Sequence, residues 1–412
     1  MKPSALLFVA ALASLSLLGR AASSMAATHK PSTSAPAAAP TAAPAAAPAA
    51  ATAGASGIPS PPEVDARAYI LVDYTSGKVL AERNADARLE PASLTKLMTC
   101  YVVFQALKTG TLKLNEPVTI SEHAWRAEGS RTFVQVGSQV PAEVLVKGMI
   151  VQSGNDATIA LAERVGGTEA AFVQLMNQNA QRLGLTGTHF DDSSGLPSPS
   201  HYTTARDLAR LGAALVHDFP EYYAWFSLRE FVWNNIKQQN RNGLLERDPT
   251  VDGMKTGHTD SAGFCLVTSA MRQNMRLIAV VLGSRDIKGR EDASAALVNY
   301  GYTFYETVNV KQRGTVVLKP RVFKSTDEYV AVGPATDINI IVSRGQAGSI
   351  QTTASVRHPL IAPLSTTTAV GELQVTVDGK LVTSVPLYPT VNVPQGGIWS
   401  RLSDSVLLWF QK

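Results

Sequence analysis

The order of strand-like and helix-like segments is the feature that most constrains the fold of this chain. Two β-prone runs flank Thr75-Ser76-Gly77 in "AYILVDYTSGKVLAE", a pattern typical of a β-hairpin. Helical patterns follow as far as about residue 215, and strand patterns return in "GFCLVTSAM" and "MRLIAVVLGS" before a last helical stretch, "REDASAALVNYGYTFYET". Because strands flank a helical middle, we predict an α+β domain whose first and last strands share one sheet.

A second pattern begins after about Val308. Short alternating strands such as "INIIVSR" and "GELQVTVDGKLVTSVPL" predict a small all-β domain over residues 309–393, with a hairpin at Asp378-Gly379. Residues 394–412 predict an amphipathic helix that is far too short to cross a membrane. Its apolar face would carry Ile398, Leu402, Val406 and Trp409. Packing of this helix over the β domain is the alternative to membrane association.

The first 62 residues predict export followed by a tether. Lys2, an apolar run and then small residues form the order of a secretory signal, which we place at residues 1–27. Residues 28–62 are almost entirely Ala, Pro, Ser and Thr, too poor in large apolar groups to fold, and a low-complexity insertion without function is an equal alternative. The α+β domain would then occupy residues 63–308.

Composition excludes several classes of function. At 412 residues, 45% of them hydrophobic, the chain can bury the cores of two globular units. Its net charge of +4 comes without any Lys/Arg-rich block, so no nucleic-acid partner is expected. The seven histidines show no metal-ligand spacing, and neither a metal nor a cofactor is predicted. Cys100 and Cys265 could pair in an exported protein, but their apolar neighbours favour two buried thiols.

Three short motifs occur in order along the chain. They are Ser93-Leu94-Thr95-Lys96, Ser153-Gly154-Asn155 and Lys255-Thr256-Gly257. Taken alone, S-x-x-K is a weak signal, because a serine near a helix start is more often a cap. The presence of the whole set favours a catalytic site. A second K-T-G, at residues 108–110, ends the helix that carries the first motif and is interpreted as a helix stop.

The first motif has the chemistry of a serine nucleophile with its own base. Pro91 suits the first position of a helix, which places Ser93 in the first turn, where a free N–H can point at an oxyanion. Lys96 follows one turn later, so its amine can reach the Ser93 hydroxyl. Burial, the helix dipole and a second lysine would all disfavour the ammonium form. We therefore predict Ser93 as nucleophile and Lys96 as base.

The third motif suits substrate binding on a strand. Lys255 would supply positive charge, and the Thr256 hydroxyl would hold a substrate carboxylate. Gly257 would let a peptide backbone approach an edge strand. The backbone N–H of His258 would be a second oxyanion donor, while its imidazole would pack locally and not act as a base.

The second motif would complete the proton transfers. Ser153 could pass a proton to the leaving amine, and Asn155 could hold Lys96 and the substrate amide. Together the three motifs predict an acyl-transfer site without a catalytic histidine.

With these motifs, and with longer stretches including "QSGNDA", "NRNGLL" and "VDGMKTGHTDSAGF", the chain resembles the serine-type D-alanyl-D-alanine carboxypeptidases, the low-molecular-mass penicillin-binding proteins. The resemblance implies a serine β-lactamase/transpeptidase-like domain, with an antiparallel sheet and helices on both sides, followed by the β domain and the terminal helix. It implies removal of the terminal D-Ala from peptidoglycan stem pentapeptides through an acyl-enzyme at Ser93, with β-lactams acylating the same serine.

The resemblance also implies a location and one further residue. The terminal helix would bind the periplasmic face of the inner membrane. Arg290 would help to bind the substrate carboxylate, with a surface salt bridge as the alternative. The loop "DDSSGLPSPSHYTT" carries prolines where some relatives place an acidic residue.

Two rival functions stay open at this point. A class A β-lactamase would share the acylation step, but it needs an acidic residue to activate the deacylating water. Here no Glu lies between Glu169 and Glu221, and the second motif has Gly154 in place of Asp. An inactive wall-binding or scaffold protein is the other rival, and the complete motif set argues against it.

Overall fold

The computed structural model describes residues 57–410. The predicted signal at 1–27 and most of the predicted tether lie outside these residues. In chain order the helices and strands of the first domain are β1 (Ala68–Asp73), β2 (Val79–Arg83), α1 (Lys96–Lys108), β3 (Pro117–Thr119), α2 (Glu122–Trp125), β4 (Gln139–Pro141), α3 (Ala142–Val151), α4 (Asn155–Gly166), α5 (Glu169–Arg182), α6 (Ala205–Asp218), α7 (Pro220–Tyr223), β5 (Glu230–Trp233), β6 (Ile236–Gln239), α8 (Leu244–Arg247), β7 (Val251–Thr259), β8 (Gly263–Arg272), β9 (Met275–Ser284) and α9 (Ile287–Phe304).

A five-stranded antiparallel sheet of order β2-β1-β9-β8-β7 lies at the centre of this domain. The first and last strands of the domain share this sheet, which confirms the α+β prediction. Strand β1 pairs with β9, with Ala68 opposite Leu282. The motif strand β7 lies at the edge of the sheet, where one side of its backbone is open to a further strand.

Both faces of the sheet are buried, each under different helices. Along β1, Ile70 packs in the core shared with α1 and α6, whereas Leu71 packs in the core shared with α9. The same alternation runs along β9, from Leu277 to Leu282. Successive side chains of a strand point to opposite faces, so a strand covered on both sides reads as a continuous apolar run. This explains why the hairpin and the two later strands are so rich in Val, Ile and Leu.

Helix α1 is buried on almost every side. Of its thirteen residues, only Gln105 and Lys108 are exposed. A helix that is apolar all round lies inside a core, in contrast to a surface helix with one apolar stripe. It ends as predicted, with Gly110 at a positive φ of 76° after the last turn. The core therefore holds α1 rigidly and fixes the position of its first residues.

A second domain with its own core follows. Its strands are β10 (Tyr305–Lys311), β11 (Val322–Phe323), β12 (Val332–Pro334), β13 (Ile338–Ser343), β14 (Ile350–Val356), β15 (Leu360–Ile361), β16 (Gly371–Val377) and β17 (Lys380–Pro389). Four of them form the sheet β12-β17-β16-β14. Asp378 and Gly379 join β16 to β17, and both have positive φ, as the predicted tight hairpin requires. Strand β10 spans the predicted domain limit at 308/309.

The C-terminal helix α10 (Ile398–Phe410) exposes its apolar face. Trp399 is 85% exposed and Phe410 74%, and no described residue of the helix is buried. Asp404 anchors it to the β domain by accepting a hydrogen bond from the backbone N–H of Lys324. The alternative in which this helix covers the β-domain core is therefore wrong. Within residues 57–410, no helix is both long enough and apolar enough to span a bilayer.

The two cysteines are separate buried thiols. Cys100 lies in α1 and Cys265 in β8, and neither forms a disulfide. Burial raises the pKa of Cys100 to about 12 and that of Cys265 to about 11. Both are therefore protonated and unreactive at neutral pH.

Candidate active site

The nucleophile motif forms a tight turn in front of α1. Ser93 lies in a 3-10 turn, Ala92–Thr95, and the α-helix begins only at Lys96, five residues after the predicted start at Pro91. The turn starts where the N–H of Leu94 donates to the Pro91 carbonyl at 3.1 Å. Ala92 has φ of 47°, a left-handed conformation that non-glycine residues rarely adopt. Surrounding contacts must therefore hold this turn in place.

Lys96 is completely buried beneath the nucleophile. Its Nζ lies 3.0 Å from Ser93 Oγ and donates to the Ser194 carbonyl at 2.7 Å. Burial lowers the pKa of this amine from 10.5 to about 7, with Asp192 opposing the shift and Arg241 adding to it. Near neutral pH a large fraction of Lys96 is therefore the free amine, which can accept a proton from the serine hydroxyl.

Strand β7 packs directly against the nucleophile turn. A Cβ at Gly257 would lie 3.0 Å from the Pro91 carbonyl oxygen and 3.3 Å from the Ala92 Cβ. A side chain at this position would push strand and turn apart by a few tenths of an ångström, which glycine avoids. Next to it, Lys255 is buried and its Nζ donates to the Thr256 carbonyl at 2.9 Å. Burial, followed by the charge of Lys96, holds the pKa of Lys255 well below its usual range.

Ser153 lies in the turn before α4, and Asn155 is the first residue of that helix. Ser153 has φ of 66°, and its buried hydroxyl has no hydrogen-bond partner within residues 57–410. Asn155 donates to the Glu128 carbonyl at 2.5 Å, while its own side-chain oxygen is unpaired in that range. The structure does not show the expected contact of Asn155 with Lys96, whose amine is held by the Ser194 carbonyl.

Gly154 has a local reason to replace an aspartate. A Cβ there would lie 2.0 Å from the Thr132 hydroxyl oxygen. The acid of this motif is instead Asp156, which is fully buried and accepts the backbone N–H groups of Thr132, Phe133 and Val134. It thereby anchors the loop that forms one wall of the site.

The three motifs meet at one cleft of about 570 Å³, although Lys96, Lys255 and Asn155 are buried and do not line it. Its lining comes from all three motifs and their neighbours: Ser93, Gly129, Ser130, Ser153, Arg241, Thr256, Gly257, His258, Phe264, Ile287 and Arg290. This lining contains no carboxylate, and it contains two guanidinium groups, those of Arg241 and Arg290. The cleft is therefore suited to a ligand with a negative charge.

His258 and Arg290 occupy the wall beyond the third motif. The exposed His258 ring stacks on Phe264, with centroids 4.0 Å apart and planes at 30°. Arg290 is only 4% exposed, and it donates to the carbonyls of Gly257 at 3.4 Å and Arg241 at 3.2 Å. The alternative of a surface salt bridge for Arg290 is wrong, since it is buried and makes no ion pair in the described part of the chain.

Two features of the site were missed by the motif analysis. Arg241 lines the cleft, and in residues 57–410 its guanidinium has no hydrogen bond or ion pair; burial lowers its pKa. It lies in the stretch "NRNGLL", which carried the family resemblance but suggested no role. Ser194 also had no motif, and its carbonyl reaches Lys96 from 98 residues away. No local pattern could have indicated that contact.

No metal site accompanies this cleft. Among the described residues there is no group of three or more His, Cys, Asp or Glu side chains that could hold an ion.

Comparison with known proteins agrees with the geometry. Residues 55–286 match the family model of D-alanyl-D-alanine carboxypeptidases, and residues 305–395 match that of the penicillin-binding protein 5 C-terminal domain. The chain is 42% identical over 361 residues to D-alanyl-D-alanine carboxypeptidase DacA of Escherichia coli K12, covering 86% of this chain and 90% of that protein. It is 44% identical to DacC of the same organism over 359 residues, with coverage of 85% and 90%.

Solved structures show the same relationship. Penicillin-binding protein 5 from Haemophilus influenzae superimposes with a TM-score of 0.75 at 41% identity, over 82% of this chain and 99% of that one. The family resemblance and the fold class implied by the motifs are confirmed. The chain belongs to the D-alanyl-D-alanine carboxypeptidase family.

Proposed function

We propose that this protein is a serine-type D-alanyl-D-alanine carboxypeptidase that removes the terminal D-Ala from peptidoglycan stem pentapeptides. The observation that carries the proposal is the 3.0 Å contact between Ser93 Oγ and a fully buried lysine amine, in a cleft that also contains Thr256 and Ser153. Family membership supports the same conclusion.

The first half-reaction is acylation of Ser93. The neutral amine of Lys96 takes the proton of the Ser93 hydroxyl, and Oγ attacks the carbonyl carbon between the last two residues of the peptide. The oxyanion that forms would be bound by the backbone N–H groups of Ser93 and His258, on the two elements that meet at this point. The buried setting of Lys96 supports the first step, since a lysine in water would be protonated.

Collapse of the tetrahedral intermediate expels D-alanine. The C–N bond breaks, and the leaving amine receives a proton through the unpaired Ser153 hydroxyl. The carboxylate of the departing residue would be held by the Thr256 hydroxyl with the positive charge of Arg241 nearby, whereas burial disfavours the ammonium form of Lys255. The unpaired side-chain oxygen of Asn155 would accept the substrate amide N–H.

The second half-reaction is hydrolysis of the acyl-enzyme. Water attacks the ester carbon and gives a proton to Lys96, which passes it to Ser93 Oγ as the ester C–O bond breaks and the shortened peptide leaves as a carboxylic acid. A β-lactam would acylate the same serine and leave slowly, because a class A β-lactamase needs a free acid to activate the deacylating water. Here Asp192 is the acid beside Lys96, and its oxygens accept the N–H groups of Ser194, Gly195 and Leu196.

The decisive experiment compares labelling and product release. Incubation with a stem pentapeptide should release D-alanine, and a fluorescent penicillin should add covalently. Ser93→Ala should abolish both. Ser138→Ala, at a partly exposed serine outside the cleft, is the matched control and should keep both.

Other outcomes separate the rivals. Labelling of Ser93→Ala would place the nucleophile elsewhere. Rapid turnover of benzylpenicillin without a burst would favour a β-lactamase, and a wild-type protein that releases no D-alanine would favour a scaffold.

Location follows from the two ends of the chain. We infer that the protein is exported to the periplasm and attached peripherally to the inner membrane through α10, whose Trp399, Trp409 and Phe410 are exposed. Such rings bind at the boundary between headgroups and acyl chains. Wild type should float with vesicles of bacterial lipid, and Trp399→Ser/Phe410→Ser should not. Equal flotation of the two proteins would refute this attachment.

The domain division at 63–308, 309–393 and 394–412 is part of the same proposal.

A further inference from the structure

A buried histidine lies beneath the nucleophile turn and has no part in the mechanism above. His201 is 1% exposed, and its Nε2 is 2.9 Å from the Thr95 hydroxyl, inside the S-x-x-K motif itself. Its Nδ1 is 3.4 Å from Asp192 Oδ2. The ring also meets Phe190 edge-on, with centroids 5.8 Å apart. His201 therefore connects the nucleophile turn to the loop that contains Asp192.

Asp192 organises that loop through its two oxygens. Oδ1 accepts the N–H groups of Ser194 and Gly195, each at 2.6 Å, and Oδ2 accepts that of Leu196 at 3.1 Å. These bonds fix the peptide unit whose carbonyl accepts from Lys96 Nζ at 2.7 Å. The position of the acceptor on the catalytic amine therefore depends on Asp192.

The loop and the nucleophile turn are also in direct contact. Gly195 has φ of 95°, and a Cβ there would lie 1.8 Å from the Ala92 carbonyl oxygen and 2.8 Å from the Thr95 hydroxyl. Loop and turn therefore meet at two places, by backbone packing at Gly195 and by the bridge of His201. With no space between them, a shift of the loop would be passed on to the turn that carries Ser93.

We propose that His201 and Asp192 act together as positioning residues for the catalytic lysine: Asp192 shapes the loop whose carbonyl holds Lys96, and His201 fastens Asp192 to the nucleophile turn. The inference rests on the proposed function, because it assigns these residues to the same acylation step. Neither residue lines the cleft.

Of the two positioning residues, Asp192 is the one whose charge acts on Lys96. Burial raises the pKa of Asp192, but the nearby His201 side chain and the hydrogen bonds from the loop N–H groups outweigh it and lower this pKa to about 2. The 3.4 Å approach of His201 Nδ1 is a close polar contact and does not have hydrogen-bond geometry. The charge of Asp192 is therefore present throughout the working pH range, where it opposes deprotonation of Lys96. The other groups that act on Lys96 are Arg241, Lys255, Cys100 and Asp156, and Asp191 interacts with His201. The Asp191 carboxylate accepts from Ser198 and Ser200.

The test measures acylation by a fluorescent penicillin, and peptide kcat and KM, from pH 5 to 10. Asp192→Asn should move the pH midpoint of acylation downward by about one unit or more, because Lys96 loses the anion that favours its ammonium form. His201→Ala should lower the plateau acylation rate on the order of tenfold to a hundredfold, because a misplaced base costs rate. KM for the peptide should change by no more than about twofold, since substrate contacts remain.

His189→Ala is the matched control. His189 belongs to the same loop and pairs with Asp191 at 3.4 Å, but it is half-exposed and lies away from the nucleophile turn. It should keep the wild-type rate and midpoint. His201→Gln keeps a polar group of similar reach and should recover part of the rate lost in His201→Ala; it also serves as the test variant if the alanine protein does not fold.

Two results would overturn the proposal. One is a His201→Ala or His201→Gln protein that loses thermal stability but keeps the wild-type plateau rate and midpoint, which would mean a structural role only. The other is an Asp192→Asn midpoint equal to that of wild type. Failure of the proposed function is a separate outcome, because it would appear in the Ser93→Ala experiment and in wild-type D-alanine release.

Discussion

Replacing Lys96 with methionine should abolish acylation and, at neutral pH, stabilise the fold. The amine is fully buried, and its pKa falls from 10.5 to about 7 on folding. At pH 7 the unfolded chain holds this proton almost completely, while the folded protein holds it about half of the time. The free energy of that deprotonation opposes folding, and methionine, with a similar length and no charge, removes it.

The magnitude follows from the shift. A difference of about 3.5 units, at about 1.4 kcal/mol each, gives about 5 kcal/mol in full, and half-protonation of the folded state reduces this to roughly 4 kcal/mol at pH 7. The pH dependence of stability is opposite to that of a lysine whose pKa rises on folding. Because the folded-state pKa of Lys96 is depressed, the unfolded state binds more protons between pH 7 and 10.5. The free energy of unfolding of the wild type therefore rises with pH across that window. The advantage of the variant should therefore shrink from roughly 4 kcal/mol at pH 7 to near zero at about pH 10.5.

Urea unfolding followed by circular dichroism at pH 7, 8.5 and 10 measures this difference, with penicillin labelling in parallel. Lys108→Met, at the exposed end of the same helix, is the control and should show no such trend. The reasoning is refuted if Lys96→Met is less stable than wild type by the same amount at all three pH values. That result would mean that burial does not lower the pKa of Lys96 in the folded protein.

Three further predictions follow from the same contacts. Acylation by penicillin should rise with pH through a midpoint of about 7, as Lys96 loses its proton, and a stopped-flow profile that is flat from pH 5 to 9 would contradict this. Gly195→Ala should lower both the melting temperature and the acylation rate, because its Cβ would overlap the Ala92 carbonyl. Gly184→Ala, with positive φ but open space, should lower the melting temperature alone. Arg241→Ala should raise KM for a peptide with a free C-terminal carboxylate and leave KM for the C-terminal amide unchanged, and equal effects on both peptides would exclude a carboxylate role.

Much of the fold could be predicted from local pattern. The hairpin around Gly77, the helix stop at Gly110 and the hairpin at Asp378-Gly379 depend on positive φ that only a few residue types adopt readily, and each lies where predicted. The shared sheet followed from the order of the segments. The start of α1 was predicted less accurately. The turn Ala92–Thr95 is held by packing against β7 and Gly195, and the presence of Pro91 does not indicate that packing.

The roles of the motif side chains could also be predicted from the sequence, whereas their hydrogen-bond partners could not. The sequence indicated that Lys96 would be a base for Ser93, since three residues of separation place both on one helical face. It suggested Asn155 as the group that holds the lysine, whereas the structure places the Ser194 carbonyl there. The exposure of α10 was equally undecided, because an amphipathic pattern is the same whether its face meets a core or a membrane.

The sequence by itself determined which elements form and which chemical groups the protein possesses, because backbone preferences and short motifs act within a few residues. Only the tertiary structure decided how those groups act together. Burial under the helical core lowers the pKa of Lys96, and His201, 106 residues from Thr95, reaches the nucleophile turn only because the chain folds back upon itself. Desolvation and contacts between distant residues depend on everything that surrounds a group, and no local pattern contains that information.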